Sequence, residues 1–184
     1  MGRCLIFCAA EFDTPAVPIE KDDYIIAADG GLTHVEKLGL TPDVILGDFD
    51  SLGRIPAGAN VFPVEKDDTD AMLAVKRGLA LGYLCQQGAR GCLAGRDYLV
   101  TVVKNGALRF PAGCEGTVSV FCQGPDAAGV TLRGLYYPLE EGTLTAAFPL
   151  GVSNHFTGEP AEISVKNGSL LVLWDRKNGL PDRN

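Results

Sequence analysis

Apolar residues along the first half of the chain come in short branched runs, each closed by a polar turn. Arg3 to Cys8 reads as a buried strand, and Pro15 and Pro18 mark the loop after it. Tyr24–Ala28 reads as a second strand, running into Asp29-Gly30-Gly31. Leu32 to Leu38 has the length and period of a short helix, with Gly39 at its end and Pro42 just beyond. Val44-Ile45-Leu46 is a third buried run, Gly53 to Asn60 a loop, and Val61 to Val64 a short strand. Met72, Val75 and Leu79 then lie on one face of a helix that begins near Thr69 and stops at Gly82. Strands alternating with helices predict a parallel sheet.

After Arg90 the pattern changes. Tyr98–Val103, Ala107–Phe110, Thr117–Gln123, Val130–Tyr137, Thr143–Phe148, Ala161–Val165 and Ser169–Trp174 are short runs of strand-forming residues. Asn105-Gly106 and Asn167-Gly168 are two-residue hairpin signals. This half reads as an antiparallel sandwich or barrel. The expected organisation is an α/β domain over 1–90 and an all-β domain over 91–184. Within the second, Gly151-Val152-Ser153-Asn154-His155-Phe156 reads as a polar loop, and Trp174 as core.

With 184 residues, 46% of them hydrophobic, there is room for one ordinary domain or two small ones. No apolar run reaches the length of a membrane span, and the first residues are too short an apolar stretch for a signal peptide. The expectation is a cytoplasmic protein with no membrane association. The six cysteines form no Cys-x-x-Cys pair and there are two histidines, which argues against zinc; in a reducing compartment the cysteines are expected mostly as small core residues. The net charge of −7 lies in the first half, where residues 1–83 carry 14 acidic and 7 basic side chains against 9 of each beyond. That argues against the basic face of a nucleic-acid binder and requires a divalent cation if this half is to meet phosphate.

Candidate chemistry sits on the turns. In an extended backbone Asp48 and Asp50 would point to one side with Phe49 on the other, and two such carboxylates repel unless a cation lies between them. At Asp29-Gly30-Gly31 the glycines permit close approach to phosphate or ribose, and a plain tight turn would look the same locally. Glu65-Lys66-Asp67-Asp68-Thr69-Asp70 precedes the helix; Asp68 or Thr69 can cap it and Asp70 favours its dipole, which leaves Lys66 as a phosphate contact and Asp67 and Asp70 as ligands for metal or substrate. Strand ends of a parallel sheet share one rim, so the three turns are expected to meet.

Together, Ala28-Asp29-Gly30-Gly31, Gly47-Asp48-Phe49-Asp50-Ser51, Lys66-Asp67-Asp68-Thr69-Asp70 and Ser153-Asn154 resemble the thiamine pyrophosphokinase family, in the family's order. The resemblance implies a Rossmann-like α/β nucleotide-binding domain followed by a β-sandwich that binds thiamine and dimerises. It implies transfer of pyrophosphate from ATP to the hydroxyl of thiamine with release of AMP, Mg²⁺ as cofactor, and a homodimer whose active sites are shared between subunits. On this resemblance Asp48, Asp50 and Asp70 would hold Mg²⁺ and the phosphates, with Asp67 beside them. Asp29, Gly30, Gly31, Ser51, Lys66 and Thr69 would line the nucleotide site, and Ser153 and Asn154 would face thiamine.

One stretch departs from the family pattern. Between the Asp70 helix and the β-domain the family carries a strand, a Gly-Gly-Arg-x-Asp-His loop and a helix, whereas Leu81-Gly82-Tyr83 here runs directly into Leu84-Cys85-Gln86-Gln87-Gly88. Leu84–Gln87 reads as the tail of a helix ending at Gly88. Either the sequence passes over a unit of roughly 25 residues, which would appear as a chain break near 82–85, or the unit is truly deleted, which would cost the sheet a strand and leave a weak or inactive enzyme. Two other functions remain open on the sequence: a Mg²⁺-dependent phosphatase of the haloacid dehalogenase type, which also uses Asp-x-Asp, and an inactive thiamine-binding regulator.

Overall fold

The computed structural model describes residues 3–9, 14–15, 17–47, 49, 52–61 and 81–183. The chain divides into two compact units, Met1–Asp67 and Asp68–Asn184.

The first unit is a parallel sheet. Strands β1 (Cys4–Phe7), β2 (Tyr24–Ala28), β3 (Val44–Gly47) and β4 (Asn60–Val61) lie side by side in chain order, every neighbouring pair parallel. Helix α1 (Gly31–Lys37) places Leu32 and Val35 against Phe7, Ile25 and Ala27, with Leu5, Ile19, Leu40, Ile45 and Leu52 around them. In β2 the alternation is plain: Ile25 and Ala27 are buried, Ile26 and Ala28 partly so.

A bidentate ion pair holds the entrance to β2. Arg3 donates through Nε to Asp23 Oδ1 at 2.8 Å and through Nη2 to Oδ2 at 2.7 Å, and the Glu20 amide donates to the same carboxylate at 2.7 Å. The Arg3 guanidinium, followed by the Glu20 amide, holds the Asp23 carboxyl below its ordinary value. A depressed carboxyl stabilises the fold at pH above its unfolded pKa, and that stabilisation is lost as pH falls through the native value. Asp23→Asn is therefore expected to remove one component of the acid limb of stability. Urea midpoints for the variant and the parent that fall in parallel between pH 5 and pH 2 would contradict this.

The second unit has two antiparallel five-stranded sheets. One runs in the order β11 (Gly151–His155), β8 (Thr117–Cys122), β13 (Ser169–Asp175), β6 (Tyr98–Lys104), β5 (Cys92–Ala94). The other runs β10 (Leu139–Thr145), β9 (Asp126–Arg133), β12 (Ala161–Asn167), β7 (Ala107–Phe110), β14 (Asp182–Arg183). Leu170, Val172 and Trp174 of β13 alternate inward from the first sheet, and Ala161, Ile163 and Val165 of β12 from the second. The sheets meet through an aromatic contact. Trp174 lies edge-on to Phe110 with ring centroids 5.6 Å apart, and its indole N–H donates to the Gly179 carbonyl at 2.9 Å. Trp174 is core, as the sequence indicates.

Several expectations are corrected. Gly151–His155 is an edge strand rather than a loop. The run read as Val130–Tyr137 is paired from Asp126 to Arg133 and ends at Gly134, whose φ is 67°. Among the six cysteines only Cys114 is buried; Cys4, Cys8 and Cys92 are exposed, with Cys4 on the edge strand β1. The backbone is continuous where the first of the two readings placed a break. Residues 81–86 are helical, closed by bonds from Gln87 N–H to the Tyr83 carbonyl and from Ala89 N–H to that of Leu84. Gly82 does not stop this helix. A side chain there would collide with the Gln123 amide at the end of β8, so the glycine lets the helix lie close to the sheet. The tail does end at Gly88, in a left-handed turn at φ 80°.

Candidate active site

Among the described residues, the starts of two of the polar turns, at Asp29 and Gly47, lie together. The strand β2 ends at Asp29, whose backbone is left-handed (φ 52°) and whose N–H donates to the Leu46 carbonyl of β3 at 2.8 Å. Gly47 closes β3 with φ 152°, and a Cβ at that position would stand 3.0 Å from the Asp29 Cα. Gly31 begins α1 directly against the end of β1, where an added Cβ would run into the Phe7 carbonyl oxygen. Three strand ends therefore converge on one rim, as expected for a parallel sheet.

Phe49 is buried, at 2% exposure. Its conformation is not the expected one. Phe49 has φ 58° and its carbonyl accepts the Leu52 N–H at 3.2 Å, so the extended strand ends before it. Strand alternation therefore does not determine how Asp48 and Asp50 are disposed. Asp48, Asp50, Ser51, Lys66, Asp67, Thr69 and Asp70 lie outside the described residues. Among the described residues no group of three or more His, Cys, Asp or Glu side chains could hold a metal.

In the second unit, Ser153 and Asn154 occupy a bulge of β11, where the register against β8 shifts between Gly151 and Asn154. Ser153 is exposed with a left-handed backbone (φ 56°), and its N–H donates to Ser119 Oγ at 3.1 Å. Asn154 is buried, with its amide bonded to the main chain of Tyr137. Of the five non-glycine residues with positive φ among those described, Asp29, Phe49 and Ser153 fall in candidate motifs. Such backbone strain concentrates at functional sites, at a cost of about 1–3 kcal/mol each.

Beside this bulge lie two residues that the sequence reading left inside a strand. Tyr136 and Tyr137 are 66% and 60% exposed, with edge-on rings 4.8 Å apart. Tyr136 N–H donates to the His155 carbonyl at 2.9 Å. A signal for them was present: adjacent residues of a strand face opposite sides, so two neighbouring tyrosines before a proline cannot both enter the core.

Comparison with protein families decides between the readings left open. The model "Thiamin pyrophosphokinase, catalytic domain" matches residues 17–103, and "Thiamin pyrophosphokinase, vitamin B1 binding domain" matches residues 107–170. The chain belongs to the thiamin pyrophosphokinase family. Its activity is accordingly that of a thiamine diphosphokinase, with ATP the family's co-substrate, and neither the phosphatase nor the inactive regulator is favoured. A comparison with curated proteins finds no match.

Solved structures share the fold at low identity. The thiamine pyrophosphokinase from Bacillus subtilis aligns over 94% of this chain and 98% of its own, with 19% identity and a TM-score of 0.68. For the thiamin pyrophosphokinase from Geobacillus thermodenitrificans the figures are 94%, 96%, 20% and 0.67. For yeast thiamin pyrophosphokinase they are 96%, 87%, 12% and 0.66. In this family's terms the converging turns lie within the catalytic-domain match, and the tyrosine pair with Ser153 and Asn154 lies within the vitamin B1 match.

Proposed function

We propose that the chain transfers the β,γ-pyrophosphoryl group of ATP to the hydroxyethyl oxygen of thiamine, at a Mg²⁺-dependent site built on the rim of the parallel sheet. The observation that carries the site assignment is the contact of Gly47 with Asp29, which supports reading the Asp29–Gly31 turn and the Asp48–Ser51 segment as parts of one site. In the reaction the thiamine oxygen bonds to the β-phosphorus, the bond from that phosphorus to the α,β-bridging oxygen breaks, and AMP leaves. The hydroxyl proton goes to a base, for which Asp67 or Asp70 has suitable chemistry.

Mg²⁺, when bound, neutralises charge on the phosphates and polarises the reacting centre. Carboxylate oxygens are its preferred donors, and Asp48, Asp50 and Asp70 are the residues that would supply them. Asp29, Gly30, Gly31, Ser51, Lys66 and Thr69 would line the nucleotide, in a domain we read as Rossmann-like. Ser153 would face thiamine with the exposed Tyr136–Tyr137 pair, since aromatic faces attract a cationic ring.

The reading extends to a cytoplasmic homodimer, with no nucleic-acid partner. The second half has balanced charge and can approach its copy without net repulsion, whereas the acidic first half is better kept apart. Light scattering that returned the monomer mass of 19.4 kDa at micromolar concentration would contradict the dimer. No helix among the described residues is long and apolar enough to cross a membrane. The activity is tested by supplying Mg-ATP with and without thiamine: AMP should appear only with thiamine. Thiamine-independent phosphate release would instead indicate a phosphatase.

A further inference from the structure

Asn154 was expected to face thiamine, and its surroundings argue for a different role. The residue is 1% exposed. Its Oδ1 accepts the Tyr137 N–H at 2.9 Å and the His155 N–H at 2.9 Å, and its Nδ2 donates to the Tyr137 carbonyl at 2.7 Å. An amide oxygen has two lone pairs, and both are used here. The segment it holds lies between the end of β9 at Arg133 and the start of β10 at Leu139. Leu135 bridges Phe156 and Tyr136 N–H bonds the His155 carbonyl, so the Asn154 side chain continues this pairing by one residue, standing in for a strand at both main-chain groups of Tyr137. The consequence is an aromatic side chain held out in solvent on a fixed backbone, beside the exposed Ser153.

We propose that Asn154 is a positioning residue for thiamine: it fixes the backbone of Tyr137 beside Ser153 and does not itself touch the substrate. This rests on the reading that Tyr136, Tyr137 and Ser153 form the thiamine surface. A side chain bonded on two sides and closed to solvent would have to release Tyr137 before it could reach a ligand, whereas Ser153 is already open. The left-handed backbone of Ser153 turns that residue outward while its neighbour points in.

The test is a double-mutant cycle on the intact enzyme with Tyr137→Ala, Asn154→Ala and the double variant, measuring KM for thiamine, KM for ATP, kcat and melting temperature. Each single change should raise the thiamine KM about tenfold and leave the ATP KM unaltered, and the double variant should be no worse than either single one. Two outcomes overturn the proposal while the thiamine surface stands. In one, Tyr137→Ala raises the thiamine KM but Asn154→Ala changes only the melting temperature, as for a purely structural clamp. In the other, the double variant loses the product of the two single effects, as for independent contacts. If Tyr137→Ala itself leaves the thiamine KM unchanged, the surface reading fails and the proposal with it.

Asn154→Asp keeps the acceptor for the two N–H groups and serves in the cycle if the alanine variant does not fold. Hydrogen exchange on the unmodified protein adds an independent arm. The Tyr137 amide should be protected to the same degree with and without thiamine. Loss of that protection on adding thiamine would mean that Asn154 leaves Tyr137 for the substrate, which overturns the proposal.

Discussion

Replacing either Asp48 or Asp50 by asparagine is expected to abolish turnover while the fold survives. Each would contribute a full negative charge to a Mg²⁺ that in turn neutralises the phosphates of ATP. Losing one such electrostatic contact at a reacting phosphoryl group typically costs about 4 kcal/mol, or about 10³-fold in kcat. Stability should move the other way. Two carboxylates close in sequence, with no cation bound, repel each other, so removing one charge should leave the melting temperature of the apo protein unchanged or raise it. The stabilisation that Mg-ATP confers on the parent by mass action should disappear. Thermal shifts with and without Mg-ATP, run beside kcat, check all three points. Full activity in either variant would remove these residues from the metal site.

Gly31→Ala is expected to be the most damaging single methyl addition in the first unit. The new Cβ would run into the Phe7 carbonyl oxygen and come within 2.8 Å of the Cys8 amide nitrogen. Backbone atoms of a paired strand cannot yield as a flexible side chain can. The helix α1 must therefore lift, separating Leu32 and Val35 from the core they form with Phe7, Ile25 and Ala27. Overpacking of this kind costs about 3 kcal/mol, which lowers the melting midpoint by about 10 °C. Gly30→Ala provides the contrast. Gly30 has φ −57°, an ordinary value for any residue, and the change should cost little. The ATP KM should rise in the Gly31 variant, because the Asp29–Gly31 turn moves with the helix. Equal melting temperatures for the two variants would contradict the account of the rim.

How far the chain could be read depended on what each segment buries. Tyr24–Ala28 and Ala107–Phe110 form strands over the residues expected, because runs of strand-forming residues there are bounded by turn residues. The strand β11 was not legible. Its buried positions are a glycine and an asparagine, Gly151 and Asn154, and the bulge between them breaks the period of two. Strands β5 and β14, of three and two residues, are too short to carry a pattern. Gly82 was read as a stop because glycine commonly follows a helix, but the helix continues through it, packed beside the end of the Gln123 side chain, a neighbour far away in sequence.

The candidate site was legible to a similar depth. Asp29, Gly31 and Gly47 could be placed on a shared rim because parallel strands end on the same side. The left-handed backbone at Phe49 could not be foreseen, since alternation assumes that the strand continues. The family resemblance put Asn154 toward thiamine, whereas its side chain bonds the main chain of Tyr137, 17 residues away.

Isotopic labelling shows whether both transferred phosphorus atoms of ATP arrive on thiamine together. With ATP labelled at the β-phosphorus, thiamine and Mg²⁺, the label should appear in thiamine pyrophosphate, matched mole for mole by unlabelled AMP. Label recovered in ADP, or in inorganic phosphate formed at the same rate without thiamine, would contradict the account.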